Sequence, residues 1–161
     1  MRGASLLWIA LAAGCASTYP FPAHTATMRN PSTGEAEHRP AVAADGQSRH
    51  ELVAFTEKEA CFRSTLDGIA GEQAQEMQFK LMGFHAREQK LSSAPMIASS
   101  KTVLETSDRR VRLTNGDPVV HDVSVVQICF EQPATVVGPN TEFLVLEVPK
   151  KGAGGVWKLT R

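Results

Sequence analysis

Beyond His50 the apolar and polar positions fall into short alternating runs separated by turn-forming residues, the signature of strands. Leu52-Val53-Ala54-Phe55 and the run Ala60 to Leu66 are rich in β-formers, and Asp67-Gly68 ends the second. Thr102 to Thr106 and Arg110 to Thr114 bracket a polar Ser107-Asp108 turn, which predicts a hairpin. Asn115-Gly116-Asp117-Pro118 carries strong turn chemistry and leads into Val119 to Phe130, the longest β-rich stretch. Gly138-Pro139-Asn140 turns the chain into Glu142 to Val148, and Gly152 to Gly155 turns it again into Val156 to Thr160. About seven to nine short strands at this spacing predict an all-β domain over residues 49–161. An antiparallel β-sandwich fits best; an immunoglobulin-like topology is one form of it, and a small barrel is the alternative. Trp157 is expected in the core or at a sheet edge.

Two stretches break the pattern. Between Glu72 and Phe84, Gln, Glu, Met and Ala favour helix by propensity, yet Met77, Phe79 and Leu81 alternate with Gln78 and Lys80. The alternation predicts a strand over 76–82, and Ser92 to Ser100 is read as loop around Pro95. Residues 15–48 carry Pro20, Pro22, Pro31 and Pro40 among small polar residues and show no sustained period, so they predict a tether ahead of the domain.

Lysine plus arginine and aspartate plus glutamate number 17 each in the 161 residues, and no basic stripe is interleaved with aromatics. Nucleic acid is therefore not an expected partner. Lys150-Lys151 beside glycines reads as a solvated hairpin tip, and Lys151 to Gly155 lacks the Gly-Lys-Ser/Thr of a phosphate cradle.

The first residues have a different character. Arg2 precedes the apolar run Leu6 to Leu11, and small residues then lead to Cys15, the order of a secretory signal over 1–14. The apolar run is well short of the roughly 20 residues that cross a bilayer. Leu11-Ala12-Ala13-Gly14-Cys15 resembles the lipobox of bacterial lipoproteins, with Ala12 where leucine is common. The resemblance implies cleavage before Cys15, diacylglyceryl and N-acyl groups on it, and a lipid-anchored place in the bacterial envelope. Ala16 in place of aspartate favours the outer membrane. An ordinary secretory signal cut among Ala12, Gly14 and Ala16 is the competing reading.

With Cys15 as the lipidation site, Cys61 and Cys129 remain, and export favours one disulfide between them. Closing a loop of that size contributes about 4 kcal/mol in the chain-entropy model. Two buried free thiols are the alternative; a zinc site lacks ligands.

Candidate chemistry is sparse. His121, Asp122 and Ser124 have the residue types of a nucleophilic triad, but strand alternation sends His121 and Asp122 to opposite faces. Asn115, Asp117 and Asp122 lack the ladder of a dedicated calcium loop, and His24, His38, His50, His85 and His121 are scattered. No motif calls for a cofactor or metal. The expected function is a membrane-anchored lipoprotein whose sandwich binds or scaffolds an envelope protein through loops or an edge strand. The alternative is a secreted or periplasmic enzyme built from convergent residues such as His85, Asp117, His121 and Glu142.

Overall fold

The computed structural model describes residues 26–29 and 41–160, apart from 57, 86, 93 and 138–139. The signal and lipobox reading of residues 1–15 lies outside them, as do residues 16–25 and 30–40 of the expected tether and most of the Gly138-Pro139-Asn140 turn.

The fold is a β-sandwich of two sheets. The first contains β1 (Ala26–Arg29), β5 (Lys80–His85), β6 (Lys90–Leu91), β7 (Met96–Ile97), β10 (Thr141–Glu147) and β11 (Gly155–Thr160), in the order β1-β11-β10-β5-β6 with β7 also on β5. Its pairs are antiparallel except for β1 with β11. The second runs β2 (Ala41–Val42), β3 (Arg49–Phe55), β4 (Glu59–Asp67), β9 (Pro118–Glu131) and β8 (Ser100–Arg112), all antiparallel. Helix α1 (Gly71–Glu76) leads from β4 towards β5, and Pro133–Thr135 forms a turn of 3-10 helix.

Alternation sorts the side chains. Ala60, Phe62, Leu66, Val126, Ile128 and Phe130 point inward from β4 and β9 and meet Leu81, Leu144, Leu146 and Trp157 of the facing sheet in one core. Phe62 packs against Trp157 with ring centroids 4.9 Å apart, and against Phe130 edge-on at 5.9 Å. The outward positions of β4 and β9 form rows in register: Cys61 with Cys129, Arg63 with Gln127, Thr65 with Val125, Asp67 with Val123. Cys61 and Cys129 are bridged, as expected. The bridge joins neighbours within one sheet, not the two sheets as in an immunoglobulin domain.

The structure departs from the sequence reading in four places. Ser92 to Ser100 is not all loop, because Met96–Ile97 pairs with β5 as β7 and Ser100 already begins β8. The domain starts before residue 49: β2 pairs with β3, Ala41, Ala43 and Ser48 are buried, and β1 pairs with β11. The stretch 76–82 is not one strand. Propensity wins over Gly71–Glu76, and alternation wins from Lys80 onward. Ser107-Asp108 is not a turn either, because β8 runs unbroken through it and pairs with β9 along its length, with a bulge between Val103 and Glu105. The hairpin closes instead at Asn115-Gly116-Asp117. There the Asp117 amide donates to Asn115 Oδ1 at 3.1 Å, and Asn115 Nδ2 donates to Asp117 Oδ2 at 2.7 Å. Since β4 ends opposite Val123, the far part of this hairpin projects as an arm. Among the described residues no helix is long and apolar enough to cross a membrane.

Candidate functional site

β4 ends in a carboxylate that gathers side chains from several separate parts of the chain. Asp67, 8% exposed, sets Oδ1 2.8 Å from Arg109 Nη2 of β8 and Oδ2 3.3 Å from His121 Nδ1 of β9. The register explains the meeting, because Arg109 lies opposite His121 on the outward rows that also hold Asp67 and Val123. The Asp67 amide donates to Ser48 Oγ at 3.2 Å, and its carbonyl accepts from Lys150 Nζ. The Ser48 hydroxyl donates in turn to Asp45 Oδ2 at 2.6 Å, while Asp45 Oδ1 accepts the amides of Gln47 and Ser48. Gln47 Oε1 accepts from Arg109 Nη1, which closes the network.

Burial works against the charge on Asp45, but the Ser48 hydroxyl, the two amides and Lys150 outweigh it and hold the carboxyl below its usual value. The approach of Arg109 to Asp67 Oδ1 is an ion pair without an aligned N–H, and Arg109 Nε is buried with no acceptor among the described residues. Lys150 is thus not a solvated hairpin tip: it is half-buried, with Nζ 2.9 Å from where a Cβ on Gly68 would stand. Gly68 has φ +67, so glycine there suits both the left-handed backbone and the lysine.

A second polar link lies inside. His50 is fully buried, with Nε2 2.5 Å from the Ala153 carbonyl and Nδ1 2.8 Å from Ser64 Oγ. A carbonyl only accepts, so Nε2 carries the hydrogen and the Ser64 hydroxyl donates to Nδ1. Burial drives the pKa of His50 down to about 4, against the Ala153 carbonyl and Asp45, which favour the cation. The neutral ring ties β3 to the loop between β10 and β11.

A cleft of about 490 Å³ lies on the opposite side of the arm from His121, between the start of α1 and the β8–β9 ribbon. Gly71, Glu72, Thr106, Asp108, Asp122 and Ser124 line it. Asp108 and Asp122 stand directly opposite one another on the ladder, a like-charge pair that destabilises the arm on its own.

The triad residues divide as alternation requires: His121 turns to Asp67, Asp122 lines the cleft, and buried Ser124 donates to the Ile69 carbonyl at 2.6 Å. An Asp–His pair can orient an imidazole as a base, but among the described residues no hydroxyl or thiol is hydrogen-bonded to His121. His85 and Glu142 belong to the other sheet from His121 and from the hairpin whose turn holds Asp117, and among the described residues no hydrogen bond or ion pair joins any two of the four. Among the described residues no group of three or more His, Cys, Asp or Glu could hold a metal ion. Asp67 and Arg109, the centre of the network, were not singled out by sequence: Asp67 read as the end of a strand, and only the ladder brings Arg109 to it.

These features define a disulfide-bridged two-sheet β-sandwich with a polar cluster rooting a long β-arm. No protein-family model, curated protein or solved structure matches the chain.

Proposed function

We propose that this chain is a bacterial envelope lipoprotein, anchored through acyl groups on Cys15, whose sandwich binds a partner protein with the β8–β9 arm. One observation carries the binding half. Leu104, Leu113 and Val120, three of the four large apolar side chains left exposed among the described residues, all lie on this hairpin, and its strand β8 is a sheet edge. Native proteins keep such edges short or covered, so a long one bearing apolar side chains is suited to strand addition. The order of residues 2–15 supports the anchor: two or more acyl chains hold a domain at a membrane where one does not.

Two measurements test the reading. Cys15→Ser is expected to move the protein from the detergent phase to the aqueous phase on phase partitioning; unchanged partitioning removes the anchor. A photo-crosslinker at Val120 is expected to capture a discrete envelope protein, whereas the same probe at exposed Glu142 of the other sheet does not. Equal capture from both positions removes the arm as the binding element.

A further inference from the structure

Among the described residues the outer edge of the arm is unpaired, and its charges are self-complementary. The Gly68 amide donates to the Asp122 carbonyl at 2.7 Å, so even-numbered positions of β9 direct their backbone polar groups towards β4. In an antiparallel ladder this direction alternates, so the odd positions of β9 face β8, and Glu105, Ser107, Arg109 and Val111 answer them. The amides and carbonyls of Thr106, Asp108, Arg110 and Arg112 are left at the outer edge. Among the described residues no backbone hydrogen bond other than those to β9 reaches them.

The side chains of the same four residues share one face. Asp108 stands beside Asp122, with Glu72 across the cleft, and no cation pairs with any of them among the described residues. Arg110 and Arg112, further along the strand, are exposed and have no acceptor among the described residues. One strand therefore carries an unanswered acid and two unanswered bases at alternate positions.

We propose that β8 pairs antiparallel with β8 of a second copy, about a twofold axis at Arg109. This deepens the binding reading above, on which it rests, by naming the occupant of the edge. The axis sets Asp108 opposite Arg110 of the other copy, Thr106 opposite Arg112, Ser107 opposite Val111 and Glu105 opposite Leu113, each pairing occurring twice. The edge amides of 106, 108, 110 and 112 then find carbonyls, and Arg110 of each copy enters the acidic row of the other. Moving the axis one residue sets Asp108 against Asp108 or Arg110 against Arg110. Moving it two sets Arg110 against Arg112, or Arg110 against the bulge at Leu104. The two Arg109 side chains meet on the outer face, where each is already paired with its own Asp67.

The test uses the full chain in non-ionic detergent. With both Ser107→Cys and Val111→Cys in one chain, oxidation is expected to trap a disulfide-linked dimer on a non-reducing gel. Each single variant stays at the parent's background, because equivalent positions lie about 13 Å apart along the ladder. In the double-cysteine chain, Asp108→Arg or Arg110→Asp alone is expected to cut trapping about tenfold, since each turns two attractive pairs repulsive. Both charge changes together restore it, and circular dichroism of each variant checks that the sandwich is intact. Absence of a trapped dimer from the double-cysteine chain overturns the proposal, as does trapping by Ser107→Cys alone or charge reversals without effect. Capture of another protein at Val120 without a trapped dimer sinks this inference and leaves the binding reading standing.

Discussion

Acid should loosen this fold through His50 before it reaches the carboxylates. The imidazole is buried and neutral, held between the Ser64 hydroxyl and the Ala153 carbonyl, with its pKa lowered to about 4. In the unfolded chain the ring titrates near the ordinary value of about 6.5. Between these values the unfolded state holds a proton that the folded state does not, so stability rises with pH across that window. The contribution is fully present above about pH 6.5 and is lost as pH falls towards about 4. The slope approaches about 1.4 kcal/mol per pH unit, and the whole interval amounts to about 3 kcal/mol. Asp45, whose pKa is also depressed, contributes in the same direction but below its ordinary value of 3.8, which separates the two effects.

The assay is urea denaturation of the parent chain and of His50→Gln at pH 7.5 and pH 4.5. Glutamine can still donate to the Ala153 carbonyl but does not titrate. The parent is expected to lose about 2–3 kcal/mol between the two conditions, and the variant to lose much less. The variant starts lower at pH 7.5, by about 1–3 kcal/mol for an imperfectly satisfied Ser64 in the core. Equal losses in the two proteins would refute the reasoning, because the acid-sensitive group would then lie elsewhere.

Reducing the Cys61–Cys129 bridge, which spans a sequence separation of 68, should cost about 4 kcal/mol, read as a lower urea midpoint with and without a thiol reductant. Gly83→Ala should destabilise by about 3 kcal/mol or more, since a Cβ there would stand 2.0 Å from the Val136 carbonyl oxygen and backbone must move; thermal melting reads it. Asp67→Asn should cost about 2 kcal/mol, below the figure for a fully buried pair because Arg109 is 38% exposed. Hydrogen exchange should show that loss first in the β8 and β9 amides at the root of the arm.

What the chain reveals in advance follows from how each element is stabilised. Val119 to Phe130 was legible because its inward positions fill a core, which imposes alternation on the sequence. The middle of β8 was not, because Ser107 and Asp108 fill no core on either face and the ladder alone fixes them in extended form. Ala41 and Ala43 are each 1% exposed, yet alanines among small polar residues give no periodic signal even when they close a core. Around Met77, Phe79 and Leu81 the alternation truly reports burial, but the strand itself begins only at Lys80. The disulfide could be inferred by counting cysteines. The Asp67 cluster could not, because it exists only once the register of three strands and the turn at Asp45 to Ser48 are set.

The bridge and the cluster occupy opposite ends of one ladder. Cys61–Cys129 fastens the start of β4 to the end of β9, and Asp67 fastens the end of β4 to Arg109 and His121 at the root of the arm. Both lie on the outward face, so neither competes with the core for space. The arm therefore leaves the sandwich from a ladder fixed covalently at its far end and electrostatically at the root of the arm. A ribbon held this way loses little freedom when another strand adds to it, and that saving appears directly as affinity. It follows that Asp67→Asn should weaken self-association through β8 although Asp67 lies outside the paired edge. The deficit should appear mainly as a slower association rate, since fewer arms are aligned at any moment while the contacts formed are unchanged. An unchanged association rate, with the root demonstrably loosened by hydrogen exchange, would mean that the edge is ordered by pairing itself and that the cluster serves stability alone.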